Sequence, residues 1–409
     1  MAADQPGRFP AGMRAFQHRD FRLFWLGQLV SLVGTWMQSV AQSWLVLELT
    51  GSPLRLGLVG ALQFSPMLFF SFLAGALADR LPKRRLIVAS QVALLAQSLL
   101  LGLLVWSGHV RYWHVAALAA LYGLASTLDM PARQSFLVEM VGKEDLLNAI
   151  ALNSAMFNGA RMVGPAVAGL VIARWGLAPA FLLNAASFLA VLVALGLLRA
   201  EGRPRAPSGS TLRAEIGEGV RYALGSVHIR LVLSLVLAVS VFLFNYNVLV
   251  PLVARDVLGE SAQGFGLLMA AVGVGAVLGA IALAAAGRER PSLTTLAAFA
   301  LVLAATTVAL AGVRRFWLAA LCLLVMGGCG ILFMAGANTT LQLTVPDELR
   351  GRIMSLHALV FAGVTPIGSL LVGAVTEAAG VPAGLVVMGG AGLLAVLALL
   401  AWSRRREPD

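Results

Sequence analysis

Gly75-Ala76-Leu77-Ala78-Asp79-Arg80-Leu81-Pro82-Lys83-Arg84-Arg85 sets one acid and four bases between two apolar runs, near 56–77 and 86–106. A hydrocarbon layer of ~30 Å is crossed by ~20 apolar residues as a helix. Neither run alternates with period two, so each reads as a helix rather than a barrel strand. A turn this rich in charge belongs at a membrane surface, with one span entering it and the next leaving.

Ten further runs of the same kind lie near 23–47, 113–132, 147–173, 179–198, 230–253, 263–286, 293–312, 316–337, 352–376 and 383–402. The expected fold is therefore an all-α membrane protein of twelve transmembrane helices. Composition agrees. Of 409 residues, 59% are apolar and 12% charged, against ~45–50% and ~25% in soluble domains. Mean hydropathy is +0.87. Disorder, a disulfide scaffold, a coiled coil and an ordinary soluble enzyme are excluded. The two cysteines, Cys322 and Cys329, fall in one run. On a helix their spacing gives ~10.5 Å of rise, too far for a disulfide.

The formal net charge is +11, from 30 Lys and Arg against 19 Asp and Glu. With the N-terminus placed inside, 23 of the 30 bases fall on inner segments, 6 on outer ones, and Arg161 alone within a span. By the positive-inside rule both termini are cytoplasmic. The charge marks topology, so no nucleic-acid partner is expected. The first run is far longer than the apolar core of a signal peptide, so the chain reads as multi-pass in the cell membrane. The Pro/Gly/Ser-rich stretch Gly202 to Ser210, followed by mixed charged and apolar residues over Leu212 to Leu224, reads as a linker with a short interfacial helix.

The chain also repeats at an offset of about 204 residues. Val141 matches Val345, Glu144 matches Glu348, Gly164 matches Gly368, Gly169 matches Gly373, Gly75 matches Gly279 and Arg84 matches Arg288. Six spans per half give both halves the same orientation. Two parallel-repeat bundles, 1–200 and 229–409, joined by 201–228, then enclose a site near the bilayer midplane.

The 75–85 loop resembles the signature loop of the major facilitator superfamily, Gly-x-Leu-Ala-Asp-Arg-x-Gly-Arg-Lys/Arg, with Pro82 replacing the usual Gly. The second-half copy is degenerate, with Leu283 where Asp79 would fall. The resemblance implies gating by Gly75, Asp79, Arg80, Arg84 and Arg85. Asp79 would dock at a helix N-terminus of the other half, and the Arg cluster would pair with Asp129 at the inner end of span four. Gly164-Pro165-Ala166-Val167-Ala168-Gly169 is similar to the Gly-Pro-x-x-Gly-Gly motif of drug/proton antiporters in that superfamily. Asp129-Met130-Pro131-Ala132-Arg133-Gln134, and His18-Arg19-Asp20-Phe21-Arg22-Leu23-Phe24-Trp25, resemble its enterobactin-exporter-like branch. Both motifs imply export.

Gln28, Ser31, Thr35, Gln38 and Gln42 are spaced 3, 4, 3 and 4 apart, one polar face that must meet protein or water. Ser154, Asn158 and Arg161 form a second such face on span five. Asn245 is a further pathway candidate on span seven. A charge at the depth of Arg161 costs at least ~2.5 kcal/mol, which marks a functional site. Its fork of donors suits an anionic or carbonyl-rich substrate; capping of carbonyls or pairing with Asp129 is the alternative. Candidates for proton coupling are Glu48, Asp129 and His357. There is no P-loop, and no His/Cys cluster of metal-site spacing, so no cofactor, metal or ATP chemistry is expected. The expected protein is a monomeric, non-enzymatic secondary transporter. It exports an amphiphilic drug, siderophore or metabolite by alternating access, coupled to proton antiport. An importer, a lysophospholipid flippase or a uniporter on the same fold are the rival readings, with a non-transporting sensor as the rival of another class.

Overall fold

The computed structural model describes residues 10–202, 212–285 and 291–404. Part of the linker, 203–211, lies outside the described residues. So do Arg8, Arg203, Arg205, Arg288, Arg290, Arg405 and Arg406, all counted in the charge bias.

The first helices are α1 (Arg19–Thr50), α2 (Pro53–Arg80), α3 (Lys83–Trp106), α4 (Tyr112–Val141), α5 (Leu146–Trp175) and α6 (Leu177–Leu197). After α7 (Leu212–Gly225) come α8 (Val227–Phe242), α9 (Tyr246–Leu252) with a π turn Val253–Val257, and α10 (Ala262–Ala285). The chain ends with α11 (Leu293–Leu310), α12 (Phe316–Thr344), α13 (Asp347–Ala362), α14 (Thr365–Ala379) and α15 (Val381–Arg404). Among the described residues, 11 helical stretches are long and apolar enough to cross a membrane, with 227–257 and 349–379 each counted as one. α1 is not among them, because its glutamines dilute a run of 32 residues.

Local chemistry sets the turns. α1 stops at Gly51, whose φ of 61° is costly for any residue with a Cβ. Ser52 then caps α2, its side chain accepting from Arg55 N at 3.2 Å, and Pro53 opens the helix. The short helix expected over 212–224 is α7.

Shifting α4 by 204 residues places it on α12, and shifting α6 places it on the start of α15. Two spans differ from the reading as single helices. Span seven breaks at Leu243–Asn245, where Asn245 Nδ2 donates to the Val241 carbonyl at 2.8 Å in competition with the backbone. Span eleven breaks at Gly363 and Val364, just before Pro366, which has no N–H to continue the ladder. α5 runs through Pro165 without a break. α4 extends to Val141, well past the apolar run, so Asp129 lies inside the helix rather than at its end.

α1 packs on α5 and α6, α2 on α4, and α3 on α4 and α6. Beyond the connection, α10 packs on α12, α11 on α12 and α15, and α8 on α15. The two sets meet along α5 with α10 and along α2 with α14. At the first seam glycine is required. A Cβ on Gly273 would lie 2.5 Å from Met162 Cα and 2.8 Å from the Arg161 carbonyl. The run Gly273 to Gly279 is thus a packing surface.

Candidate functional site

Between the sets lies a cavity of about 430 Å³. α1, α2, α5, α10 and α12 line it, together with both helix breaks. Broken helices place unpaired backbone at a midplane site.

Arg161, midway along α5, faces this space. Its guanidinium carbon sits 5.7 Å from the Trp36 ring centre and 5.8 Å from that of Tyr246, so it bridges the two sets. Among the described residues it makes no hydrogen bond or ion pair. The alternative pairing with Asp129 is not made. Asp129 is engaged by Arg133 one turn on, and accepts from Ser90 Oγ at 2.7 Å and Gln91 Nε2 at 3.1 Å.

Aromatic rings surround the guanidinium. Trp36 meets Phe157 edge-on at 5.7 Å, and Phe244 meets Phe361 edge-on at 6.0 Å. Phe244 fits because Gly330 has no Cβ; one there would come within 2.9 Å of the ring. Gln42 donates to Gln63 Oε1 at 2.9 Å across the cavity wall. Tyr246 donates to the Met326 carbonyl at 3.3 Å.

Of the pathway residues expected from sequence, Gln42, Asn158, Arg161 and Asn245 line the cavity. Gln28, Ser31, Thr35, Gln38 and Ser154 do not. Gln38 corrects the reading of α1 as one continuous cavity wall. It is buried among α3 and α6, donating to Gln97 Oε1 at 3.0 Å and accepting from Ser98 Oγ at 2.5 Å and Asn184 Nδ2 at 2.7 Å. The stripe is polar because it locks helices together as well as facing the cavity. Trp36, Ser39 and Ser43 line the cavity from the adjacent face of α1, and Gln63 lines it from α2. Sequence reasoning missed these four; a glutamine in the apolar run of α2 was the available signal.

The antiporter-like segment lies at two seams. A Cβ on Gly164 would reach Trp36 Cβ at 2.5 Å, and one on Gly169 would reach the Gln263 carbonyl of α10 at 3.0 Å. The carbonyl of Pro165 faces Gly266. In the 75–85 loop, Arg84 donates to the Gly196 carbonyl at 3.2 Å, not to Asp129. Asp79, Arg80 and Arg85 are exposed. Among the described residues Asp79 makes no docking contact, and Gly75 has open space beside it. Glu48 is exposed and accepts from Trp44 Nε1 at 2.7 Å. His357 is buried, with Nε2 unpartnered.

Among the described residues, three hydrogen bonds join the sets at the face opposite the 75–85 loop. Glu377 Oε2 accepts from Ser52 Oγ at 2.8 Å and from Leu54 N at 3.1 Å. Arg255 Nη1 donates to the Leu47 carbonyl at 2.7 Å. Trp44 stacks on Phe265 beside them at 6.0 Å.

Residues 11–409 match the family described as transmembrane secretion effector, a branch of the major facilitator superfamily. The multidrug efflux pump Tap of Mycolicibacterium fortuitum is 28% identical over 93% of this chain and 95% of its own. A staphyloferrin A transporter of Staphylococcus aureus (strain NCTC 8325 / PS 47) is 25% identical over 90% and 92%. Macrolide efflux protein A of Streptococcus pyogenes is 22% identical over 86% and 88%. Among solved structures, a POT family transporter bound to 5-aminolevulinic acid superposes with a TM-score of 0.74 at 11% identity, covering 95% of this chain and 96% of that one. A bacterial homologue of the lysosomal transporter Spinster gives 0.70 at 12%, covering 98% and 96%. The structural likenesses establish the fold.

Proposed function

Because the chain belongs to the transmembrane secretion effector family, and is a multi-pass membrane transporter rather than an enzyme, we propose that it exports an amphiphilic small molecule from the cytoplasm by alternating access. The observation that carries this is the aromatic-lined cavity at the meeting of the two sets, floored by two broken helices. α1 is the twelfth span. Residues 1–200 and 229–409 form two six-helix bundles that rock about the α5/α10 and α2/α14 seams. Two features support the linker as the boundary. Asp20 Oδ2 accepts from Arg199 N and Ala200 N at 2.8 Å, tying the start of the connection to the first bundle. Arg352 pairs with Glu218 at 2.7 Å, tying α7 to the second.

The positive-charge bias supports a cytoplasmic 75–85 loop and cytoplasmic termini. The latched face is then outside, and the cavity faces inward to receive substrate. Asp79, Arg80, Arg84 and Arg85 engage when the inner side closes; the absence of a partner for Asp79 among the described residues supports an inward-facing arrangement. Proton antiport drives the cycle. Of the three proton candidates, Asp129 is the one held in an ion pair among the described residues, with Arg133, whose guanidinium lies over the Phe24 ring at 5.3 Å. One chain encloses the whole cavity, so a monomer suffices.

The test is flux of an amphiphilic dye in proteoliposomes, with and without an imposed pH gradient. Gradient-driven movement that fails in Asp79→Asn and Arg161→Ala proteins is expected. Absence of gradient-driven movement in the wild type refutes the coupled-export reading.

A further inference from the structure

The cavity carries one formal charge and nothing to balance it. Among the residues lining it there is no Asp, Glu, Lys or His; Arg161 is alone. Its guanidinium has no hydrogen-bonding partner among the described residues and rests on the faces of Trp36 and Tyr246. The backbone at Arg161 packs against α10, its carbonyl facing Gly273. The charge therefore stands beside the contact between the two bundles. An unpaired guanidinium on the wall of a membrane cavity is stabilised by an anion that reaches its fork of donors, and it repels a cation brought into the same space.

We infer that the transported molecule is an anionic amphiphile. Its carboxylate, phosphate or sulfonate is held by Arg161, and its apolar body lies among the rings of Trp36, Phe157, Phe244 and Phe361. This rests on the transport reading above and adds the substrate class. The ring faces explain how Arg161 persists without a counter-ion when the cavity is empty: cation–π contact substitutes for a carboxylate until substrate arrives. Because Trp36 belongs to the first bundle and Tyr246 to the second, an anion on Arg161 also binds at the contact between them. Cationic and zwitterionic amphiphiles of equal size are poorer ligands.

The test uses three probes with one arylsulfonamide-alkyl body, ending in a carboxylate, a primary amide or a trimethylammonium. Binding to the purified protein in nanodiscs is read by quenching of tryptophan fluorescence. The carboxylate should bind about tenfold tighter than the amide, and the ammonium more weakly than either. Arg161→Gln should bring the carboxylate-to-amide ratio close to one, while Arg161→Lys retains part of it. The ratio is the readout, so a general loss of folding does not mimic the effect. Equal binding of carboxylate and amide, tighter binding of the ammonium, or an unchanged ratio in Arg161→Gln overturns the anion assignment and leaves export standing. Failure of all three to bind the wild type overturns the amphiphile cavity itself, and this inference with it.

Discussion

Removing the Glu377 carboxylate should open the face that now seals the cavity. Glu377, on α14, accepts from Ser52 Oγ at 2.8 Å and Leu54 N at 3.1 Å, so it caps the N-terminus of α2 across the bundle interface. An acid at a helix N-terminus contributes ~0.3–1 kcal/mol, and a charge-assisted hydrogen bond ~1.5–3 kcal/mol when sheltered. The group is exposed, so solvent screening puts the contact at the low end, about 1 kcal/mol. Losing it in Glu377→Ala multiplies the population open to that face by about fivefold. Arg255 performs the mirror task at the C-terminal end of α1, donating to the Leu47 carbonyl at 2.7 Å. If the two act independently, adding Arg255→Gln raises the factor to about 25-fold. The assay is the rate at which a membrane-impermeant maleimide, applied to that face, modifies a cysteine at Leu56, which lines the cavity and is 3% exposed. Cys322 and Cys329 are replaced by serine in the background. Labelling that stays at the parental rate in folded Glu377→Ala protein refutes the latch.

Gln38→Ala leaves Gln97, Ser98 and Asn184 without their shared partner and should lower stability by about 1–2 kcal/mol. Thermal unfolding in detergent reads it, with probe selectivity unchanged because Gln38 does not face the cavity. Gly273→Ala forces its Cβ against Met162 Cα, and should cost about 1–3 kcal/mol and stall transport; a melting curve and dye flux check both. Asp129→Asn strands the Arg133 charge among α3 and α4, so protein yield and gradient-driven flux should fall together. If pairing is the reason, Asp129→Asn with Arg133→Gln recovers yield without recovering proton-driven flux. Glu218→Gln breaks an ion pair whose acid is 55% exposed and should shift stability by less than about 1 kcal/mol.

The helical plan was legible in the chain because lipid imposes it. Each span must close its own backbone hydrogen bonds and show apolar side chains outward, so composition and length suffice to find it. The 204-residue offset was legible for the same reason, since α4 and α12 answer to one bilayer. Arg161 stood out because a charge in that setting has few tolerable explanations. The two helix breaks did not. Asn245 and Pro366 are ordinary residues in membrane helices, and Pro66, Pro131 and Pro165 sit inside unbroken ones. What separates them is whether neighbours can satisfy the freed backbone, which spacing does not record.

The amino-acid sequence by itself determined the all-helical membrane architecture, the family motifs and the one charge that needs a partner. Tertiary structure alone decided which partner each polar residue takes. Gln38 and Gln42 sit four apart on one stripe of α1, yet one locks α1 to α3 and α6 and the other faces the cavity. Asp129 meets Arg133 four residues on along α4, and packing against α3 adds Ser90 and Gln91. The latch of Glu377 on Ser52 joins residues 325 positions apart. Periodicity says which side of a helix is polar. Only the neighbour packed against each turn says whether that polarity is spent on a second helix, a cavity or a gate.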